Sequence, residues 1–223
     1  MKISVVIPTL NAAATLPATL AALGPMGDGV EEILIADGGG TDGTPDIARN
    51  AGARVLTVPR GRGGQLAAGI AAAAHPWLLL LHADTRLTPG WRVEATSHMR
   101  DHPGKAAYFR FVLDSANPRA RHLERMVAWR CRVLALPYGD QGLLIHRDTL
   151  ARAGGMRPLP LMEDVDLITR LGRHRLRALR AEALTSAIKW ERDGWYRRSG
   201  RNLFCLSLWY CGVSPDRIAR LYG

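Results

Sequence analysis

The stretch Trp77-Leu78-Leu79-Leu80-Leu81-His82-Ala83-Asp84 is a short leucine-rich run that stops abruptly at a histidine and an aspartate. Three apolar runs precede it, Ile3 to Ile7, Glu32 to Ala36 and Arg54 to Val58. Between them Ala13 to Leu23, Thr44 to Ala51 and Gly64 to Ala74 carry helix formers with apolar residues at helical spacing, each behind a polar or glycine-rich loop. Strand and helix in alternation predict an α/β fold with a mostly parallel central sheet, wrapped by right-handed crossover helices.

Past Pro89 the pattern changes. It predicts a helix over Trp91 to Asp101, a strand over Ala106 to Leu113 and an arginine-rich amphipathic helix over Pro118 to Leu136. A short strand follows Gly139-Asp140-Gln141-Gly142, and a helix opens at Glu163 behind the Pro158 to Pro160 loop. Gly194 to Tyr222 reads as two helices, with Ser214 as the N-cap of the second and Pro215 just inside it. At 223 residues and 47% hydrophobic, without repeats or low-complexity linkers, the chain is expected to form one domain.

The net charge is +10, yet the lysines are only Lys2, Lys105 and Lys189, and the arginines are scattered among alanines. A nucleic-acid-binding module is the reading such a charge invites, but no groove-reading motif accompanies it. Cys131, Cys205 and Cys211 form no C-x-x-C pair, which suits reduced thiols. The opening MKISVVIPTL lacks the basic, apolar and small-residue regions of a secretory signal, so a cytoplasmic location is expected. Nothing reaches the roughly 18 consecutive apolar residues of a membrane span.

In an open parallel sheet, ligands bind beyond the carboxyl ends of the strands, where helix N-termini and free amides converge. Here those ends are Pro8-Thr9-Leu10-Asn11, Asp37 to Thr44, Pro59 to Gly64 and His82-Ala83-Asp84. The first loop has no glycine, which excludes the G-x-G-x-x-G dinucleotide fingerprint, and G-x-x-x-x-G-K-[ST] is also missing. A nucleotidyltransferase on a similar sheet would carry a glycine-rich basic loop after strand one.

Taken together, SVVIPTLNAAATL, EILIADGGGTDGT, RGRGGQLAAGI, LLLLHADTRL, GDQGLLIHRDTLARAGG and LMEDVDLITRL resemble family-2 glycosyltransferases of the GT-A, Rossmann-like fold, from Ile3 to about Arg180. The resemblance implies inverting transfer of a sugar from a nucleotide-diphosphate donor to an acceptor hydroxyl. It divides the chain into a nucleotide-binding half (1–88), an acceptor and catalytic half (89–190) and a C-terminal helical extension (191–223).

By the same resemblance, Pro8, Thr9 and Asn11 line the base pocket and Asp37 accepts a hydrogen bond from the base. Arg62 sits near the base or diphosphate, where Gly63 and Gly64 allow close approach. His82-Ala83-Asp84 occupies the Asp-x-Asp position, so Asp84 is the expected ligand of a Mg²⁺ or Mn²⁺ ion shared with the phosphates. His82 departs from the pattern, and so does Gly38, where many relatives carry a second acid. Asp164 is the implied base and Glu163 its orienting neighbour, with Asp140 a second candidate base.

The resemblance implies that Gly139-Asp140-Gln141-Gly142 shapes the acceptor side, with Gln141 on it. Trp190, Arg192, Trp195, Arg197 and Arg198 form an aromatic and basic cluster that either closes over a diphosphate or an acceptor, with Trp190 and Arg197 on the acceptor side, or is an ordinary amphipathic helix face. The acceptor is expected to be a small molecule or lipid-linked. The C-terminal helices are read as a membrane-interface surface at the inner face, a dimer surface or core. The HADT and MEDVDL wording is most similar to small stand-alone members assigned to arsenosugar or related biosynthesis.

Overall fold

The computed structural model describes residues 1–222. Its first half runs β1 (Ile3–Thr9), α1 (Leu16–Leu23), β2 (Val30–Asp37), α2 (Thr44–Asn50), β3 (Arg54–Thr57), α3 (Arg62–Ala72) and β4 (Trp77–Leu80). Next come β5 (Thr85–Leu87), α4 (Trp91–Asp101), β6 (Ala106–Asp114), α5 (Pro118–Leu134), a 3₁₀ turn (Gly139–Gln141), β7 (Leu143–His146) and α6 (Arg147–Arg152). The rest is α7 (Glu163–Leu171), β8 (Leu176–Ser186), α8 (Ile188–Asp193), α9 (Trp195–Tyr210) and α10 (Pro215–Tyr222).

All strands join one sheet in the order β3-β2-β1-β4-β7-β6-β8-β5. The β3-β2-β1-β4 portion is parallel throughout, and β7 turns the order antiparallel on both its sides. The leucine run explains the layering, because successive strand residues point to opposite faces. Val5, Ile7, Leu79 and Leu81 pack with α1 and α4 through Leu16, Leu20, Trp91 and Met99. Val6, Leu78 and Leu80 pack on the other face with Leu66 and Ile70 of α3 and Leu167 and Ile168 of α7.

Three expected boundaries move, each for a local reason. α1 begins at Leu16 rather than Ala13, because the amides of Ala12 and Ala13 are taken by Thr44 Oγ1 (2.9 Å) and Asp42 Oδ2 (2.8 Å). α5 ends at Leu134, where Ala135 turns left-handed at φ 52°. Arg62 opens α3 instead of lying in the loop before it.

The largest addition to the expected elements is β8, eleven residues that pair in parallel with β6 and antiparallel with β5. Its alanines, arginines and Glu182 favour a helix intrinsically, but Leu179, Ala181, Ala183 and Thr185 alternate inward, and sheet pairing overrides propensity. Among the described residues no helix is long and apolar enough to cross a membrane.

Candidate active site

The loops after β1 and β2 are tied into one framework. Asp37, 2% exposed, accepts hydrogen bonds from Thr9 Oγ1 (2.8 Å) and the amides of Gly39 (3.0 Å) and Gly40 (3.1 Å). Asn11, left-handed at φ 51°, accepts from the Thr41 amide at 2.8 Å. A Cβ on Gly40 would lie 2.8 Å from the Asn11 backbone nitrogen, so this approach requires glycine. Gln65 of α3 donates to the carbonyls of Thr9 and Ala36, both at 2.7 Å, and locks the two strand ends from below.

Across from this framework, four elements converge on a charged cleft. The first turn of α3 supplies Arg62, the end of β4 supplies His82 and Asp84, the 3₁₀ turn supplies Asp140, and the first turn of α7 supplies Asp164. Arg62 donates to Glu163 through Nε, and its Nη2 lies 3.6 Å from Asp164 Oδ2. Asp164 accepts from the amides of Gly139 (2.9 Å) and Val165 (2.8 Å), as suits a carboxylate at a helix N-terminus. A Cβ on Gly139 would sit 2.7 Å from His82 Nε2 and 3.4 Å from Asp164 Oδ2. Only glycine lets that backbone pass between imidazole and carboxylate.

The electrostatics of the cleft are uneven. Burial, reinforced by the Arg62 cation, pushes His82 down to about 4, so the imidazole is neutral near pH 7. Burial pushes Asp140 up to about 6, with the charges of Asp164 and Asp84 adding to it against Arg130. Glu163 is also raised, burial outweighing Arg62. Burial works in the same direction on Asp84 and Asp164, but Lys189 and Arg62 respectively hold both below the usual carboxylate range. Asp140 Oδ1 and Glu163 Oε2 are buried without a hydrogen-bond partner.

Lys189 is absent from the sequence-derived set, and its Nζ lies 2.8 Å from Asp84 Oδ2. The only signal that could have singled it out is its rarity, one lysine of three, beside Trp190. Trp190 borders the cleft but is 8% exposed and packs on Phe111. Arg198, not Arg197, stacks over its ring at 4.9 Å and lines the cleft with Asn202 one turn later. Arg197 is exposed on another face, because α9 starts at Trp195 and sets the phase of the helix.

Two other expected residues have internal roles. Gln141 is 2% exposed, donates to the Phe109 carbonyl (3.0 Å) and accepts from Cys131 Sγ (3.2 Å) and the Tyr138 amide (3.3 Å), so it does not face an acceptor. A Cβ on Gly63 would lie 2.5 Å from the Leu159 carbonyl oxygen, so the close approach it permits is to the loop before α7 rather than to a ligand. Pro8, Thr9, Asn11 and Asp37 belong to the framework and do not line the charged cleft.

Among the described residues no three His, Cys, Asp or Glu side chains form a metal cage. The donors present still fit a divalent ion shared with a ligand. Asp84 is an ionised carboxylate facing the cleft beside a neutral imidazole, and Mg²⁺ commonly takes one or two protein carboxylates and completes its shell with phosphate and water.

Solved structures share this architecture. Glucosyl-3-phosphoglycerate synthase from Mycobacterium tuberculosis, in complex with Mn²⁺, UDP and glucosyl-3-phosphoglycerate, superposes with a TM-score of 0.64 at 22% identity over 95% of this chain and 80% of that one. S. aureus TarS gives 0.63 at 16% identity over 82% and 60%. By sequence, a PGL/p-HBAD biosynthesis glycosyltransferase of Mycobacterium tuberculosis strain H37Rv is 40% identical over 91 residues, 38% of this chain and 36% of that relative. The match thus spans little more than a third of that relative's length. Residues 4–159 match the profile of Glycosyl transferase family 2, well over half of the chain, and together with the architecture this means that the chain belongs to Glycosyl transferase family 2.

Proposed function

We propose that the chain transfers a sugar from a nucleoside diphosphate donor to an acceptor hydroxyl, with inversion at the anomeric carbon. The observation that carries this reading is the meeting of Arg62, the Asp84–Lys189 pair and Asp164 at one sheet edge. Cations there can stabilise the departing diphosphate, while a carboxylate opposite can take the acceptor proton. The acceptor oxygen bonds to the anomeric carbon as the bond to the diphosphate breaks on the far side, and the proton goes to Asp164. Glu163 orients this base indirectly, through the Arg62 guanidinium they share.

Asp84 would hold a Mg²⁺ or Mn²⁺ ion, which supplies charge neutralisation at the phosphates when bound. Lys189 neutralises the same carboxylate and is placed to contact a phosphate directly. Residues 1–88 would serve the nucleotide, 89–190 the acceptor and the chemistry, and 191–223 would close the cleft, the whole acting as one domain. The family match carries the transferase family and not an arsenosugar pathway.

A second reading makes Asp140 the base. Its carboxyl titrates at about 6, where a base suits neutral pH better than a depressed Asp164, and its Oδ1 has no internal partner. The test is release of nucleoside diphosphate from a panel of UDP-, GDP- and TDP-sugars with and without Mn²⁺, for the native chain, Asp164→Asn and Asp140→Asn. Loss in Asp164→Asn alone supports the first reading and loss in Asp140→Asn alone the second. Undiminished turnover in both variants overturns the proposal.

A further inference from the structure

Helices α5 and α9 carry exposed residues that neither the core nor the cleft uses. On α5, Arg119, Met126 and Val133 recur every seventh residue, and on α9 so do Tyr196, Leu203 and Tyr210. Seven residues are close to two helical turns, so each set forms a line along its helix. The Arg119 guanidinium stacks 5.9 Å from the Tyr196 ring centroid and joins the starts of the two lines. Val127 and Cys131 of α5 share a buried cluster with Trp195, the first residue of α9, and Tyr138, just beyond α5, lines the same cleft as Arg198 and Asn202 of α9.

The outward strip between and beside these lines is apolar at its centre. Trp129 is 59% exposed, Leu203 63% and Phe204 55%, with Met126 and Val133 alongside. Its flanks are cationic, with Arg125 and Arg132 exposed on α5 and Arg197 on α9. The one acid on either helix is Glu124, which is spent on Arg121 (2.9 Å) and the Leu113 amide (2.7 Å). Helices of 17 and 16 residues are about 25 Å long at ~1.5 Å per residue and lie, rather than span, when one face is aromatic and the flanks are arginine.

We infer that this paired face docks in the plane of an anionic phospholipid bilayer, with Trp129, Leu203 and Phe204 at the headgroup boundary and the arginines on lipid phosphates. Charge complementarity selects this occupant over a second copy of the chain, whose matching face would carry the same arginines. The opposite side of α9 sends Arg198 and Asn202 into the cleft, and Tyr138 lines it as well. Docking therefore sets the cleft mouth beside the membrane surface. If the proposed transfer holds, the acceptor hydroxyl belongs to a membrane-embedded molecule; the docking itself does not depend on that reading.

Co-sedimentation of the full chain with phosphatidylcholine vesicles, with and without phosphatidylglycerol, tests the inference. The expected result is partition onto the anionic vesicles alone, reversed by high salt. It should weaken at least about tenfold in a Trp129→Ser/Phe204→Ser double variant, which removes the two largest apolar side chains of the face. Both side chains are exposed, so the thermal midpoint of the variant should match the native one, which separates lost docking from lost fold. Failure to sediment with anionic vesicles overturns the inference, as does undiminished partition of the double variant. A dimer in light scattering that Phe204→Ser dissociates, without vesicle binding, assigns the face to a second copy instead.

Discussion

The framework at the ends of β1 and β2 and the charged cleft beside it are built on opposite principles. On the β1–β2 side every named polar group is spent internally: Asp37 holds three donors, Asn11 caps the Thr41 amide, and Gln65 ties both carbonyl ends. On the β4–α7 side charge is left over, with Asp140 Oδ1 and Glu163 Oε2 buried and unpartnered and His82 forced neutral. Saturated networks rigidify, whereas crowded and partly unpaired charges shift pKa values and concentrate at sites of chemistry. Substitutions on the first side should therefore cost stability, and substitutions on the second should cost turnover.

The largest effect should come from Asp164→Asn, with turnover falling by about 10² to 10⁴, the range of a positioned base, while circular dichroism stays native. A fall in thermal stability of equal weight would erase the contrast between the two sides. Lys189→Ala should lower turnover by about 10², as for one preorganised donor at a developing charge, with little change in melting. Unchanged turnover there would leave Asp84 without a functional cation from the chain.

On the saturated side, Asp37→Ala should cost about 1–3 kcal/mol in denaturant unfolding by stranding the Thr9 hydroxyl and two amides. Loss of nucleotide affinity with native stability would instead make Asp37 a ligand contact. Gly63→Ala should cost about 1–3 kcal/mol through its clash with the Leu159 backbone.

The smallest effect is in the pH dependence of stability. Asp140, raised from 3.8 to about 6, binds more protons folded than unfolded in that window, so its contribution falls as pH rises from about 4 to about 6. His82, lowered from 6.5 to about 4, binds fewer when folded and contributes the opposite slope. Asp140→Asn should therefore leave stability rising more steeply with pH between about 4 and about 6 than in the native chain. Parallel thermal-midpoint curves would show that these groups are not burdened by burial.

The leucine run of β4 was legible because burial on both faces leaves an unbroken apolar signature, and the strand ends followed from it. β8 was not, since its alanines and arginines speak for a helix and only pairing with β6 and β5 makes its alternation meaningful. Gln141 beside Asp140 looked equally functional in sequence. A buried amide whose oxygen and nitrogen are both hydrogen-bonded can be told from a free one only in three dimensions. Lys189 lies 105 residues from Asp84, and no local spacing encodes such a pair.

Arg62 reaches from the first turn of α3 to the first turn of α7, and Gly63 keeps the intervening loop pressed against the same turn. In the proposed reaction an arriving diphosphate competes with Glu163 and Asp164 for that guanidinium. Withdrawing the cation removes the largest of the influences that hold the Asp164 carboxyl low, the amides of Gly139 and Val165 remaining, so the base gains strength once the donor is seated. Initial-rate kinetics should accordingly show compulsory order, donor before acceptor, with the empty enzyme unable to activate the hydroxyl it has yet to use.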